Sequence, residues 1–355
     1  MEQDARVKSA IANWSPRMVS MGIDINDFQR VSKKLLVWDE WNDAWAEVGA
    51  FHEQLADEAM ANGTYRSAAV HYHQASMAYH FGKYLFVHDM ERLRAGTEKT
   101  AACYRKALPL FSPPGVEVNV PFEGTTLPGY MRYPSNVVKP AVVMIVCGLD
   151  STKEEMHTFA ELVLARGMAA LCIDGPGQGE SEFELSIRAD YEKVITAAID
   201  FLEGRPEVDA TRVGLLGISL GGYYVCRGAA FEKRVRTAVD VAGPYAWGEK
   251  WLEERPPLTR FAFRIRAGAK TDEEELALAR TLTLEGVAEK ITCPLLVIHG
   301  GKDTVINVRD AQKIYDAASG PKKFHLLEDG NHVCNNMPYR YRPVACDWLM
   351  KHLEK

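Results

Sequence analysis

The segment Gly217-Ile218-Ser219-Leu220-Gly221 carries the pattern G-x-S-x-G, and its surroundings suit what that pattern has to do. RVGLLGI precedes it with the character of a buried strand, and LGGYYVCRGAA follows with that of a helix. A strand that turns sharply into a helix lifts the central serine above the sheet, and glycines on either side leave room where side chains would collide. The hydroxyl of Ser219 is a poor nucleophile until a base takes its proton, and the base in turn needs an acid to fix its tautomer. Two later segments supply these groups in the order serine, acid, histidine: PLLVIHG runs into GKD and offers Asp303, and KKFHLLE runs into DGNH and offers His332. His299 and His325 fall inside strand-like runs and read as buried or structural, while Glu328, Asp329 and Asp310 read as ordinary surface acids.

Attack on a carbonyl generates an oxyanion, which backbone N–H groups must receive. The N–H of Leu220, next after the nucleophile, is one donor; in VCGLDSTKEE the other is that of Leu149 or its neighbour Gly148. DGPGQGES, residues 174 to 181, is glycine-rich but lacks the Lys-Ser/Thr ending of a phosphate loop and the dinucleotide spacing. It reads as a tight loop shaping the edge of the site.

The elements that position these residues follow from periodicity. From residue 113 onward, apolar runs alternate with helical stretches: AVVMIVC, MAALCID, RVGLLGI, VRTAVDVAG and PLLVIHG are strands, each separated from the next by helix or loop. Near-continuous apolar strands of this kind predict a mostly parallel sheet covered on both faces, with reactive loops at the carboxyl ends of its strands. Residues 1–112 have helical spacing throughout, and SPPGVEVNV closes that region with prolines and opens a strand. The expected organisation is an N-terminal all-helical domain over 1–112 and an α/β catalytic domain over 113–355. His71, His73 and His80 invite a metal reading, but no carboxylate accompanies them in a ligand motif, and a packed or substrate-facing aromatic helix is preferred. The rings of Trp38, Trp41, Trp45, Tyr72, Tyr79, Phe81 and Tyr84 suit a flat substrate, or simply pack the helices together.

Composition narrows the classes further. A chain of 355 residues with 47% hydrophobic content, 25% charge and a net charge of -6 is ordinary globular material with no basic surface for nucleic acid. No run reaches the roughly eighteen apolar residues a membrane helix needs, and MEQDARVKSAIANW lacks a secretory pattern, so a cytoplasmic protein is expected. The seven cysteines are scattered without CxxC pairing and read as small buried hydrophobes in a reducing compartment. No metal and no cofactor is called for.

With VCGLDSTKEE, IDGPGQGES, GISLGGYY, HGGKD and EDGNHVC in this order behind a helical region, the chain resembles a particular group of α/β-hydrolases. That group includes 2,6-dihydroxypseudooxynicotine hydrolase and the fungal pigment polyketide-shortening hydrolases, and the resemblance spans most of the chain. It implies an α/β-hydrolase fold whose N-terminal helices cap the pocket, a homodimer, and cleavage of a carbon-carbon bond beside a ketone in a small molecule. It also implies an acid near the nucleophile that assists substrate handling. Glu249 in PYAWGEKWLEE is the nearest candidate, with Glu253 and Glu254 close by and a solvated-helix reading of Glu249 open beside it. A carboxylic-ester hydrolase is the main rival, a peptidase a weaker one, and a slow-turnover ligand-binding receptor on the same scaffold is the rival of a different class.

Overall fold

The computed structural model describes residues 3–249 and 255–354. The chain divides into two compact units, Met1–Val116 and Glu117–Lys355.

The first unit is built from α1 (Ala5–Ser20), α2 (Ile25–Lys34), α3 (Trp41–Ala61), α4 (Tyr65–Lys83) and α5 (Met90–Ala107). Asp4, Asp24 and Asp89 start three of these helices by accepting the otherwise orphaned N–H groups of Arg6, Asn26 and Arg92. The unit's aromatic side chains fill its own interior: Trp38 stacks on Trp41 at 5.3 Å, Trp41 lies 6.1 Å from Trp45, and all three are buried. Tyr72, Tyr79, Phe81 and Tyr84 of this group are buried as well, so packing accounts for them. His73 and His80 are buried on α4, whereas His71 faces His52, their Nδ1 atoms 3.4 Å apart. The three histidines thus do not converge on one point.

The second unit holds an eight-stranded sheet in the order β1-β2-β4-β3-β5-β6-β7-β8. Its strands are β1 (Gly115–Phe122), β2 (Thr125–Arg132), β3 (Val142–Val146), β4 (Ala169–Ile173), β5 (Val213–Ile218), β6 (Val235–Val241), β7 (Leu295–Gly300) and β8 (Lys322–Leu327). β2 pairs antiparallel with β4, and from β4 to β8 every pairing is parallel. β3, β4, β5 and β7 are buried along their whole lengths, which is why they read as unbroken apolar runs. The flanking helices are α6 (His157–Leu164), α7 (Glu192–Glu203), α8 (Leu220–Phe231), α9 (Pro257–Ala267), α10 (Asp272–Thr281), α11 (Val308–Ala317) and α12 (Pro338–Leu353). After β3 the chain steps outward to β4 and then crosses back to β5, so the strand order reverses beside β5. Sheets of this kind bind ligands in the crevice at that switch point.

Candidate active site

Ser219 sits at the turn between β5 and α8 with φ 54° and ψ -126°, a conformation that L-residues with a side chain rarely adopt. Packing holds it there. Its N–H donates to the carbonyl of Val241 at 2.8 Å. A Cβ on Gly217 would lie 2.1 Å from the Gly221 oxygen, and one on Gly221 would lie 2.4 Å from the Val146 oxygen. Neither position has space for any other residue, so the sharp bend rests on both glycines.

His332 Nε2 lies 2.9 Å from Ser219 Oγ, and its Nδ1 lies 2.8 Å from Asp303 Oδ2. The other oxygen of Asp303 accepts the N–H groups of Val305 at 2.8 Å and Ile306 at 2.9 Å. Burial pushes the Asp303 carboxyl upward, but His332 beside it, its hydrogen bonds and His299 hold it below the ordinary carboxylate range. A permanently ionised carboxylate behind the imidazole is what fixes the tautomer that leaves Nε2 free to take a proton from the serine. The loops carrying these two residues are tied together: Gly301 N–H donates to Leu327 O at 2.8 Å, and Lys302 N–H to Gly330 O at 2.9 Å. A Cβ on Gly300 would lie 2.4 Å from the Gly330 oxygen, so the HGGKD glycines permit this close approach. Asn331 and Asn336 brace the histidine loop reciprocally, each side-chain oxygen accepting the other's backbone N–H at 2.9 and 3.2 Å.

Leu220 opens α8 directly after the nucleophile. The loop following β3 lies against the serine, since a Cβ on Gly148 would be 3.2 Å from Ser219 Cβ and 3.0 Å from the Ile218 oxygen. Leu149 next to it is buried. Further along the same loop Lys153 is fully buried among three carboxylates, with Nζ 2.7 Å from Asp174, 2.7 Å from Glu180 and 2.8 Å from Glu154. Burial pushes the ammonium down, but Asp174 and its neighbours hold it well above the ordinary lysine range. Among the described residues these three acids are the one group placed to share a metal ion, and the lysine nitrogen already occupies the point they face. Lys153 N–H also donates to Asp174 Oδ1 at 2.8 Å. This network joins the loop after β3 to the loop after β4. Both segments stand out as motifs, but nothing in their sequences indicates that one clasps the other.

Glu249 is exposed and paired with Lys313 Nζ at 2.8 Å on an open surface depression shared with Tyr245 and Arg280. This is the solvated position, while Glu253 and Glu254 lie outside the described residues. His299 is buried within β7, its Nε2–H donating to the Ile306 carbonyl at 3.1 Å, and His325 lies in β8. Asp329 is exposed and paired with Lys302, as a surface acid should be. Asp310 departs from expectation: it is buried and accepts the Tyr245 N–H at 3.1 Å, because its helix turns it inward against the segment after β6. All seven cysteines are free thiols, six buried and Cys293 half-buried.

A strained serine elbow on a mostly parallel sheet, with aspartate on the loop after β7 and histidine on the loop after β8, defines the α/β-hydrolase class. The chain belongs to the α/β-hydrolase family: residues 38–247 match the family model described as esterase FrsA-like, and residues 155–355 match the prolyl oligopeptidase family. It is 31% identical to 2,6-dihydropseudooxynicotine hydrolase of Paenarthrobacter nicotinovorans, over 95% of this chain and 90% of that one. The crystal structure of 2,6-dihydroxy-pseudo-oxynicotine hydrolase superposes with a TM-score of 0.88 at 30% identity, covering 96% of both chains. The hydrolyase ccsE of Aspergillus clavatus is 27% identical over 89% of this chain and 90% of its own. The N-terminal helical unit is therefore shared with its relatives and is not an addition peculiar to this chain.

Proposed function

We propose that this hydrolase acts through Ser219 as nucleophile, His332 as general base and Asp303 as the orienting acid, on a carbon-carbon bond beside a ketone in an aromatic or polyketide-like small molecule. The observation that carries the catalytic assignment is the unbroken hydrogen-bond chain from Asp303 through His332 to Ser219, at 2.8 and 2.9 Å. Ser219 Oγ adds to the ketone carbonyl as His332 accepts its proton, and the N–H groups of Leu220 and Leu149 receive the oxyanion. Collapse breaks the carbon-carbon bond; the departing carbon leaves as an enol or electron-rich ring and takes the proton from the imidazolium. Water, activated by the same His332, then cleaves the acyl-enzyme to a carboxylic acid. Glu249 is given no step, in view of its exposed ion pair with Lys313.

Kinship with a carbon-carbon bond hydrolase over nearly the whole chain supports this substrate class. Ester hydrolysis is the second reading, favoured by the esterase family model over residues 38–247. The two differ in what must leave. An alkoxide needs only one proton, whereas a carbanion must first be stabilised, so the relative turnover of aryl β-diketones and matched esters separates them. Trapping the acyl group on Ser219 by mass spectrometry tests the nucleophile directly. Multiple turnovers in the same assay count against a ligand-binding receptor. Residues 1–112 are proposed as the cap and the enzyme as a homodimer, the latter checked by light scattering coupled to gel filtration.

A further inference from the structure

Gln178, in the glycine-rich loop after β4, is buried and has all its hydrogen-bonding capacity in use. Its amide nitrogen donates to the carbonyls of Cys147 at 2.7 Å and Gly148 at 3.0 Å. Its amide oxygen accepts from the Gly175 N–H at 3.0 Å and from the Tyr191 hydroxyl at 3.1 Å. Those two donors leave one orientation for the amide, with the NH₂ facing the loop after β3. The two carbonyls it holds belong to the peptide units Cys147–Gly148 and Gly148–Leu149, and these are not among the cis peptides of the chain. In a planar trans peptide the N–H points opposite to the C=O. Fixing these carbonyls therefore aims the N–H groups of Gly148 and Leu149 away from Gln178. Gly148 abuts Ser219.

We infer that Gln178 is a positioning residue for the oxyanion site: it sets the direction of the Leu149 N–H, and that of Gly148, from behind through their own peptide carbonyls. Bonding the carbonyl also polarises the peptide, so the N–H opposite becomes a stronger donor. The Gln178 side chain touches no substrate. Its effect belongs to the step in which charge develops on the carbonyl oxygen, where a donor held in place beforehand contributes most. The glycine-rich loop after β4, read from the sequence as a tight loop shaping the edge of the site, thus has a specific duty there. Tyr191, at the start of α7, is the second member of the clamp.

This inference rests on the proposed role of Ser219, and the test separates the two. Gln178→Glu keeps the volume but turns a carboxylate toward two carbonyl oxygens; Tyr191→Phe removes one of the two bonds that hold the amide oxygen and leaves that of the Gly175 N–H. Both are compared with the unaltered enzyme on p-nitrophenyl butyrate, and by inhibition with an alkyl trifluoromethyl ketone, whose serine adduct carries an oxyanion. Gln178→Glu is expected to lower kcat about 10²-fold with KM within about 3-fold, and to weaken the ketone by the same factor. Tyr191→Phe is expected to lower both about 5-fold, the effect of one hydrogen bond. Circular dichroism and thermal melting establish which variants are folded, and Tyr191→Phe carries the test should Gln178→Glu not fold. Unchanged kcat and ketone affinity in a folded variant would overturn the inference. Retained turnover in Ser219→Ala would instead remove the reading on which it rests.

Discussion

His332 Nε2 and Ser219 Oγ lie 2.9 Å apart although 113 residues separate them in the chain. Their strands are not neighbours: β6 and β7 stand between β5 and β8. At about 4.8 Å per strand the histidine loop must reach back roughly 14 Å across the top of the sheet. The backbone pays for that reach in strain, since Val333 and Cys334 both have positive φ, at 58° and 52°.

Ser219→Ala is expected to lower kcat at least about 10⁴-fold on any substrate the enzyme turns over, and Asp303→Asn about 10⁴-fold. Steady-state kinetics, with circular dichroism to establish that each variant is folded, checks both. Activity within tenfold of the unaltered enzyme in either one would contradict the assigned roles.

Gly221→Ala sets a methyl 2.4 Å from the Val146 oxygen and 2.6 Å from that of Cys147, both of them backbone atoms. The elbow can make room only by moving β3 or α8, so a loss of at least about 2 kcal/mol in stability is expected. The urea midpoint measures it. An unshifted midpoint would mean that the two segments are not packed this closely.

Lys153→Met removes the ammonium from between Asp174, Glu154 and Glu180 and takes its charge from two buried carboxylates and a half-buried one. Breaking a buried pair from one side costs about 3 to 5 kcal/mol. Chemical denaturation at neutral pH should record a loss of that order, or no folded protein.

Asp240 on β6 is fully buried, with Oδ1 accepting the Gly243 N–H at 2.8 Å and no hydrogen-bond partner for Oδ2 among the described residues. Burial raises its pKa to about 7. The folded protein therefore keeps a proton that the unfolded chain releases near pH 4, and this group makes stability fall as pH rises from about 4 to about 7. Asp303 has the opposite sign: its depressed pKa stabilises above about pH 4, and that contribution is lost as the solution is acidified further. Asp240→Asn, which mimics the protonated acid, should flatten the decline and be more stable at pH 8 by up to about 4 kcal/mol, three pKa units at 1.36 each. Denaturation curves at pH 5 and pH 8 decide it; an equal difference from the unaltered protein at both would refute the assignment.

Glu249→Gln breaks an ion pair whose two side chains are 50% and 45% exposed. Such pairs contribute little, and kcat is expected to stay within about 2-fold on ketones and esters alike. A selective loss on ketones would restore the assisting role that the family resemblance implies.

By itself the sequence determined the class of chemistry and the sheet that carries it. Strands buried on both faces must be apolar along their length, so β3, β4, β5 and β7 announce themselves, and the serine elbow needs glycines at fixed spacing because backbone fills the space around it. Those are local constraints, and local constraints leave marks on neighbouring residues. Tertiary structure alone decided that Gln178 faces the carbonyls of Cys147 and Gly148, that Lys153 gathers Asp174 and Glu180, that Asp310 is buried, and that Glu249 lies at the surface. Each depends on which distant segment comes to lie opposite, and a hydrogen bond or ion pair across 21 residues or more imposes no periodicity on the chain from which it could be read.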